Sequence, residues 1–586
     1  MQKTSSDLRI AALLPQSTFG RLFRFVTPIL DKLLGISRLR CLYHEHQFAG
    51  LAPQQFTQKL LDVLTVKVVG GDQLLAKIPD KGRFIVVCNH PYGMIEGVVI
   101  AHLLSSKRSD TKIMANVGLQ LFQEIADYFI FANPLKTNSA INTLAIKQSF
   151  QHLQNDGVLV LFPAGRVSFY HADKQRIADG EWNRLAIQLA AKTNSPILPV
   201  FISGNNSRLF YLLGRIYYRF RLLMLIRELL KLQQHEIALS ASKAFTINQF
   251  SAFTEVTELN DIARLQCYLN DPQYLSRWPA DNVLTIMQPI ISATNGALIS
   301  DEIAQLPASQ QLLEYKNFTV CCGFQAQLPN SVCEITRLRE ITFRSHNESS
   351  GNACDTDKFD ATYMHLFIFD RQAQEIIGAY RIGLTDQLLQ TQDVSTLYLS
   401  QMFTFSSEFI NQQQPCLEMG RSFIVEKHQN SFYGLLLLWK GIGTFVSRNP
   451  QYRTLYGTVS LSKLYDPRSV AMIDEVMTSD SRGVTAKHPF SAVLHPEFSE
   501  YNQRKPLSIK QLSTLVQTIE ADGKDIPILL KQYHKLGAVF HCTGIDDSFN
   551  QTPGLLLSVN LANAPRKLLN LYLGDAVEQY LAFDHN

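Results

Sequence analysis

The sequence predicts an α/β protein built from two domains, and three observations carry this prediction. A chain of 586 residues is too long for one ordinary hydrophobic core. From residue 84 to residue 202, short apolar runs alternate with helical patterns, as in a layered α/β domain. After residue 330 a hairpin pattern and isolated strands replace that alternation, which indicates a second domain of α+β type.

The predicted domain boundaries follow these changes of pattern. Residues 1–69 form a helical segment that could associate with a membrane. Residues 70–290 form the first domain and residues 330–586 the second. Residues 291–329 are predicted to be a linker, because apolar periodicity gives way there to Ser, Asn, Gly, Gln and Pro.

Each predicted element of the first domain depends on a local signal. The strand at 84–88 is a β-branched apolar run that stops at Asn-His-Pro-Tyr-Gly, and the strand at 158–162 stops at Pro-Ala-Gly. The helix at 94–104 is apolar and free of proline. The other predicted strands are 66–69, 112–116 and 196–202, and the other predicted helices are 56–66, 119–131, 141–155, 182–193 and 208–232.

In the second domain, residues 362–370 alternate toward a strand, residues 371–373 form a turn and residues 376–382 form another strand. Together they predict a β-hairpin. A helix is predicted at 432–446 and a further strand at 455–461.

Composition excludes several classes of function. The net charge of +4 is too small to indicate nucleic-acid binding. The nine cysteines form no Cys-x-x-Cys pair, which argues against a zinc ribbon and a disulfide scaffold and favours reduced thiols in the cytoplasm. We find no metal cluster, phosphate loop or dinucleotide fingerprint in the sequence, and therefore predict no metal and no cofactor.

Two basic segments bear on membrane contact. Residues 19–39 and residues 208–232 place arginines and lysines among apolar residues at helical spacing. Such a helix could lie in an anionic membrane surface, or it could be an ordinary packed helix with snorkelling arginines. No apolar run is long enough to cross a bilayer, so we expect any membrane contact to be peripheral.

The first candidate site lies where the strand at 84–88 ends. His90 follows a rigid strand, and Glu96 lies near the start of the next helix, where the helix dipole favours a carboxylate. Glu96 could hold the imidazole in one tautomer and leave its other nitrogen free to take a proton from a hydroxyl. Alone, such a pair is more often a capping histidine and a solvated glutamate.

Two downstream segments complete a pattern with residues 89–97 (Asn-His-Pro-Tyr-Gly-Met-Ile-Glu-Gly). They are residues 162–168 (Phe-Pro-Ala-Gly-Arg-Val-Ser) and residues 199–207, which begin Pro-Val-Phe-Ile-Ser-Gly. Over roughly residues 70–290 the chain resembles the glycerophospholipid acyltransferases, in particular their hemolysin-like and ornithine-lipid O-acyltransferase branch.

This resemblance implies a histidine base, His90, held by an acidic partner, Glu96, and attack of a lipid hydroxyl on an acyl thioester. Asp179 and Trp182 match positions that the branch also tends to carry. The substrate-binding residues that we carry over are Asn89, Gly93, Phe162, Pro163, Gly165, Arg166 and Ser168.

The chain also departs from the broad family. Five residues separate His90 from Glu96, where the broad family has four, although the Pro-x-Gly branch shares the longer spacing. Val167 stands where the family has an arginine associated with an acceptor phosphate. This favours an acceptor lipid without phosphate, unless Arg166 substitutes from the neighbouring position.

The second candidate site centres on residues 418–422 (Glu-Met-Gly-Arg-Ser), preceded by Asp360, by residues 365–366 (His-Leu) and by residues 378–382 (Gly-Ala-Tyr-Arg-Ile). Over roughly 330–480 this resembles the ornithine N-acyltransferases, which are similar to the N-acetyltransferase fold and to acyl-homoserine-lactone synthases. The tail after residue 482 matches no motif.

The resemblance implies transfer of a 3-hydroxyacyl group from acyl carrier protein to the amine of ornithine. Glu418 is then the candidate to accept the amine proton, Arg421 to bind the substrate carboxylate and Asp360 to bind a cationic amine. Arg381 and Ser422 complete the predicted substrate-binding set. Without the resemblance, Glu418 and Arg421 would be a surface pair of little energetic value.

The two halves fit one reaction sequence, since an N-acyltransferase that installs a 3-hydroxyacyl group supplies the hydroxyl that an O-acyltransferase needs. The chain thus resembles bifunctional ornithine lipid synthases. These would act at the cytoplasmic face of the inner membrane, bound peripherally, with thioesters of acyl carrier protein or CoA as co-substrates. The alternatives are a lysophospholipid acyltransferase fused to another N-acyl amino acid synthase, and a non-catalytic lipid-binding protein.

Overall fold

The computed structural model describes residues 27–583 except 117–118, 120–121, 134–139, 218–219, 276–277, 279–286, 391–392, 407–408, 410–413, 430 and 480–482. It divides into two compact units. The first holds the described residues up to Leu275 together with Leu494–Lys505. The second holds those within Ser276–Val493 and Pro506–Asn586.

The first unit contains a seven-stranded sheet of order β1-β9-β8-β2-β5-β3-β4, in which only β8 and β9 are antiparallel neighbours. Its strands are β1 (Lys67–Val69), β2 (Phe84–Cys88), β3 (Thr111–Asn116), β4 (Phe129–Ala132), β5 (Val158–Leu161), β8 (Ile197–Ile202) and β9 (Glu236–Ala241), and a separate hairpin is made by β6 (Phe169–His171) and β7 (Arg176–Ala178).

The helices described in this unit cover the sheet. They are α1 (Thr27–Leu33), α2 (Ile36–Glu45), α3 (Pro53–Val63), α4 (Gly71–Lys77), α5 (Ile95–Lys107), α6 (Ala140–Gln154), α7 (Leu185–Thr193), α8 (Arg208–Ile216), α9 (Phe220–Lys231), α10 (Val256–Tyr268) and, from late in the chain, α17 (Pro496–Arg504).

The centre of this sheet positions the first candidate site. All residues of β2, β5 and β8 are buried, which is typical of parallel strands covered on both faces. Since β2 pairs in parallel with β5 on one side and β8 on the other, the segments that follow these strands leave the same edge of the sheet. His90 and Phe162 therefore start from neighbouring strand ends.

Three predicted elements of this unit differ from the structure. Within 119–131 the described part is a short 3-10 helix, Gln123–Tyr128, followed by β4, because the aromatic run after Tyr128 pairs with β3. The single helix predicted at 208–232 is two helices, α8 and α9. Residues 19–26 of the basic helix predicted at 19–39 lie outside the described residues. The rest of that predicted helix is interrupted at Gly35, whose φ is +80°.

The second unit contains an eight-stranded sheet of order β10-β11-β12-β13-β15-β16-β19-β18. Its strands are β10 (Gln311–Tyr315), β11 (Phe318–Phe324), β12 (Met364–Asp370), β13 (Glu375–Leu384), β15 (Cys416–Ile424), β16 (Thr454–Ser460), β18 (Val539–Asp546) and β19 (Thr552–Asn560), with a small separate pair, β14 (Phe403–Phe405) and β17 (Val484–Ala486).

The described helices of the second unit flank this sheet. They are α11 (Gly296–Gln305), α12 (Pro329–Ser345), α13 (Thr385–Leu388), α14 (Glu426–Gln429), α15 (Phe432–Arg448), α16 (Pro467–Met477), α18 (Ile509–Ile519), α19 (Ile528–Lys535), α20 (Arg566–Leu573) and α21 (Val577–Ala582). The predicted hairpin corresponds to β12 and β13, and the predicted helix at 432–446 to α15.

The parallel neighbours β15 and β16 part in the middle of this sheet. They pair only from Cys416 with Thr454 to Met419 with Gly457, although both strands continue. A side chain at Gly457 would place its Cβ 2.3 Å from the carbonyl oxygen of Met419, so the close pairing there requires glycine. The second candidate site begins where these two strands separate.

The segment 291–329, predicted to be a linker, is part of the second unit. It contains α11 and the two strands β10 and β11, and β10 is the edge strand of the large sheet. Its polar composition fits that position, because an edge strand keeps one side toward solvent.

Among the described residues, no helix combines the length and the apolar character needed to span a bilayer. The same residues include no group of three or more His, Cys, Asp or Glu side chains arranged to hold a metal ion.

Candidate active sites

The main chain of His90 is held from both sides. Its N–H donates to Asp179 Oδ1 at 3.1 Å, and its carbonyl oxygen accepts from the Ser168 N–H at 2.8 Å. Ser168 Oγ also donates to Asp179 Oδ1, at 2.6 Å, and Trp182 Nε1 donates to Asp179 Oδ2 at 2.9 Å. The buried Asp179 carboxylate thus fixes the loop on which His90 stands.

The imidazole of His90 faces the buried carboxylate of Glu96. His90 Nδ1 lies 2.9 Å from Glu96 Oε1, and Glu96 has no exposed surface. The same oxygen accepts the N–H groups of Tyr92 and Gly93 at 3.0 and 2.7 Å, which locks the carboxylate at the start of α5. Nε2 is therefore the nitrogen left to meet a substrate proton.

This pairing sets the protonation of His90. Burial would lower the pKa of His90, but Glu96, and more weakly Asp179, outweigh it and raise that pKa above its ordinary value. For Glu96 the directions are reversed. Burial alone would raise its pKa, but the charge of His90 and the Gly93 N–H bring that pKa below its ordinary value. Glu96 therefore stays ionised and orients the imidazole.

Replacing Glu96 with glutamine is expected to shift the pH profile of the reaction at His90. A general base must be neutral, so the rate rises with pH through the pKa of His90. Without the carboxylate, burial lowers that pKa, and the acid limb moves to lower pH, while kcat falls about 10–100-fold. The pH dependence of kcat measures both effects, and an unmoved acid limb would contradict the pairing.

Gly93 and Phe162 shape the space around His90. Gly93 has φ +96°, and a Cβ there would lie 2.5 Å from Val167 and 2.6 Å from Leu225, so only glycine fits. The Phe162 ring packs 4.7 Å from the imidazole, between ring centroids. Sequence reasoning assigned both residues to substrate binding, and the structure places both at the histidine.

Three other predicted substrate-binding residues of this unit have structural contacts instead. Asn89 bonds both ways to the Ile202 main chain, at 2.9 and 2.7 Å, and joins β2 to β8. Ser168 is 3% exposed and uses its hydroxyl on Asp179, and Pro163 is buried. In the structure these three residues hold the protein around His90, and their assignment to substrate binding stays a prediction.

Gly165 and Arg166 remain accessible. Both are exposed on the turn after β5, where Gly165 has φ +63°. The Arg166 guanidinium lies 5.6 Å from the Phe169 ring centre, and Arg221 lies 5.0 Å from the same ring. Val167 is buried in an apolar cluster, so Arg166 is the cation that this turn offers to a ligand.

In the second unit, Glu418 occupies the last part of the β15–β16 pairing, opposite Tyr456. Its side chain is 2% exposed, Oε1 accepts the Leu399 N–H at 3.2 Å, and the carboxyl also interacts with the Tyr363 hydroxyl. Burial raises the pKa of Glu418 to about 7. A carboxyl with that pKa exchanges protons readily at neutral pH.

Asp360 and Arg381 belong to a buried network of alternating charges. Arg339 Nη1 donates to Asp360 Oδ1 at 2.8 Å, and Arg381 Nη1 donates to the same oxygen at 3.2 Å and to Asp357 at 2.6 Å. Asp360 is 1% and Arg381 2% exposed. Each is paired with groups of opposite charge, and the prediction that they bind substrate stays a prediction.

Arg421 stands just beyond the point where β15 and β16 part. A one-residue bulge lies there, and Arg421 has φ +47°, an uncommon value for a residue with a side chain. Its Nε lies 3.3 Å from Asp355, and its guanidinium lies 4.4 Å from the Phe549 ring centre. The predicted carboxylate clamp would have to compete with Asp355, while Ser422 beside it is half-buried.

Two family models match the chain. An acyltransferase family matches residues 36–270, and the acetyltransferase (GNAT) domain matches residues 338–440. Each match falls on one of the two candidate sites, and the predicted architecture, an N-terminal acyltransferase domain and a C-terminal N-acetyltransferase-like domain, is confirmed.

Curated relatives match as well. A glycine N(alpha)-acyltransferase of Phocaeicola vulgatus is 28% identical over 40% of this chain and 77% of its own length. Its namesake from Bacteroides thetaiotaomicron is 30% identical over 32% of this chain and 58% of its own length. A lyso-glycine lipid O-acyltransferase of P. vulgatus is 25% identical over 32% of this chain and 67% of its own length. The chain is an acyltransferase.

A cavity lined by apolar side chains lies in the first unit of this acyltransferase. Its wall includes Met94 and Val98, which lie on α5 or directly before it, close in sequence to His90 and Glu96. The rest of the wall comes mainly from helices α2, α3 and α9 and from residues between β3 and β4; it includes Leu39, Phe48, Phe56, Phe122, Phe129 and Leu230. The chemistry of this lining is that of a site for an aliphatic chain.

Several residues at the two candidate sites were not predicted from the sequence. Asp355 and Asp357 lie in a stretch without periodicity, and Tyr363 and Tyr456 resemble ordinary core residues. Only the pairing of β15 with β16 brings Tyr456 opposite Glu418. The alternating acids at 355 and 357 were the one local signal that could have indicated the charged network.

Proposed function

We propose that this acyltransferase makes a diacylated amino-acid lipid in two steps. In the second unit, the amine of an amino acid attacks a 3-hydroxyacyl thioester, the C–N bond forms, the C–S bond breaks, and Glu418 takes the amine proton. In the first unit, the 3-hydroxyl of that product attacks a second acyl thioester; His90 takes the hydroxyl proton and returns it to the leaving thiolate.

The observation that carries this proposal is the pair of His90 and Glu96 at 2.9 Å, at the start of the helix from which Val98 lines an apolar cavity. The imidazole has an ionised partner that fixes its tautomer, and the α5 segment that supplies this partner also forms part of the cavity wall. A positioned base, carried by a segment that also contributes to an apolar cavity, suits transfer of an acyl group to a hydroxyl.

Ornithine is our first candidate for the amino acid, because the chain resembles ornithine lipid synthases that carry both activities in one polypeptide. Glycine is the second candidate, since relatives of this chain are named glycine N(alpha)-acyltransferase and lyso-glycine lipid O-acyltransferase. In both cases the mono-acylated product carries a carboxylate, and the exposed Arg166 beside Arg221 is a suitable cation for it.

The acyl donors in this proposal are thioesters of acyl carrier protein or CoA, and no further cofactor is required. A thioester is already activated, so general-base assistance is sufficient for both transfers. Acyl carrier protein is our preferred donor on the strength of the resemblance alone.

The test is to express the full chain in a bacterium without amino-acid lipids and to analyse the lipid extract by mass spectrometry. A diacyl ornithine lipid would support the first candidate, and a diacyl glycine lipid the second. Purified enzyme supplied with a 3-hydroxyacyl thioester and each amino acid in turn gives the same comparison in vitro. Transfer to lysophosphatidic acid, without any N-acyl amino acid, would reject the proposal.

We also propose that the enzyme works at the cytoplasmic face of the inner membrane, docked through α8 and α9. These helices expose Leu212, Ile216 and Leu223 by 56, 69 and 52% among several arginines. Exposed apolar side chains beside basic ones favour binding to an anionic lipid surface.

Replacing both Leu212 and Ile216 with glutamate is expected to weaken binding to vesicles containing anionic lipid by more than about tenfold, since each side chain contributes about 1.5–3 kcal/mol when buried in lipid. Co-sedimentation measures this effect. Leu571→Glu, at an exposed leucine of the second unit, is the control and should bind like the wild type. Equal binding of all three proteins would place the lipid contact elsewhere.

A further inference from the structure

The first unit contains a segment from far along the chain. Leu494–Lys505, which includes α17, belongs to this unit, although the residues on either side of it belong to the second. Ion pairs fasten α17 to α10 and to the β6–β7 hairpin. They join Glu497 to Arg176 and Arg264, Glu500 to Arg176 and Lys174, and Arg504 to Asp261.

Glu497 is the buried member of this set. Its side chain is 8% exposed, and its Oε1 lies 2.9 Å from Arg264 and 2.8 Å from Arg176. Burial alone would raise the pKa of Glu497, but Arg264, Arg176 and Lys174 hold it below its ordinary value. Glu497 is therefore a fixed anion between two arginines.

Arg264 connects this anion to Asp179, which with Ser168 holds the main chain of His90; we call these hydrogen bonds the frame of His90. The same Nη2 that faces Glu497 donates to the carbonyl oxygen of Asp179 at 3.2 Å. Asp179 in turn accepts the N–H of His90. Three contacts thus lead from α17 to the main chain of the histidine.

A second set of contacts reaches Asp179 from the same segment. The His495 ring packs 5.0 Å from the Tyr268 ring, and the Tyr268 hydroxyl accepts the N–H of Asp179 at 2.8 Å. The β6–β7 hairpin is a third connection. It begins directly after Ser168 and ends directly before Asp179, the two residues that hold His90. Arg176, on the second strand of the hairpin, donates a hydrogen bond to Glu497.

We infer that Glu497 is a positioning residue of the O-acyl-transfer site, acting through Arg264 and Asp179 to hold the main chain of His90. The inference rests on the proposed function of that site. Glu497 touches neither His90 nor the cavity, so its effect is on geometry. Misplacement of a base by a fraction of an ångström slows proton transfer without changing how substrate binds.

The experiment compares Glu497→Ala with Glu500→Ala in the full chain. Glu500 pairs with Arg176 and Lys174 but not with Arg264, which makes it the matched control. Glu497→Ala is expected to lower kcat for O-acyl transfer about tenfold with KM unchanged, whereas Glu500→Ala stays within about twofold of the wild type. N-acyl transfer in the same preparations should not change.

Hydrogen exchange of the full chain gives a second readout that needs no activity. The amides of His90, Ser168 and Asp179 are hydrogen-bonded in this frame. Glu497→Ala should speed exchange in the peptides that contain them, and Glu500→Ala should not. Rescue of both readouts by Glu497→Gln, which keeps an acceptor oxygen for Arg264, would show that the contact matters rather than the fold.

The outcomes separate two failures. Equal losses in both variants, or unchanged exchange in Glu497→Ala, would overturn the inference and leave α17 as a stabilising helix. If wild-type protein showed no O-acyl transfer while exchange responded to Glu497→Ala alone, the proposed function would fail and the frame around His90 would stand.

Discussion

Alanine in place of His90 is expected to stop O-acyl transfer while N-acyl transfer continues, so that the mono-acylated amino acid accumulates. The side chain is 18% exposed, held 2.9 Å from Glu96, and is the base that we propose for the hydroxyl proton. Loss of a positioned general base costs about 10²–10⁴-fold in rate. Mass spectrometry of lipid extracts and initial rates with the supplied mono-acyl lipid measure the two consequences.

The control for this variant is His235→Ala, which removes an exposed histidine of the same unit. It should make the diacyl lipid at the wild-type rate. Diacyl lipid at an unchanged rate from the His90 variant would refute the assignment of the base.

Glutamine in place of Glu418 is expected to abolish both products, because the first transfer supplies the substrate of the second. Glutamine keeps the shape of the side chain but cannot take a proton, and we expect N-acyl transfer to fall about 10²-fold or more. In the wild type, burial raises the pKa of Glu418 to about 7, so the carboxylate, and with it the rate, should grow as pH rises through that value. The variant should lose this dependence.

Two controls accompany the Glu418 variant. Glu426→Gln changes an exposed glutamate two residues after β15 and should behave like the wild type. Mono-acyl lipid supplied to Glu418→Gln should still be O-acylated, which shows that the loss of diacyl lipid comes from the second unit alone. Unchanged N-acyl transfer, or an unchanged pH profile with reduced rate, would exclude Glu418 as the proton acceptor.

The parts of the sites that sequence reasoning predicted are those encoded locally. His90 and Glu96 lie within one strand, loop and helix, and apolar runs with glycine and proline mark all three elements. The hairpin of β12 and β13 is local in the same way. A short stretch of chain contains both the signal and the structure that it specifies.

The contacts that the sequence could not predict are those between distant residues. The sequence predicted Ser168 as a substrate-binding residue, and in the structure its hydroxyl donates to Asp179. Asp360 was predicted to bind an amine, and in the structure it accepts hydrogen bonds from Arg339 and Arg381. A polar residue beside a motif has the same sequence signal whether it faces a ligand or a buried partner. Only the tertiary structure distinguishes the two.

The discontinuity of the first unit also affects its synthesis. When Leu275 leaves the ribosome, the partner of Arg176 and Arg264 does not yet exist, because Glu497 is more than 200 residues downstream. At about 5–20 residues per second, this interval lasts on the order of 10–40 s. During that time Arg176 and Arg264 of the nascent first unit lack this carboxylate, and residues 276–493 of the second unit are translated before the first unit is complete.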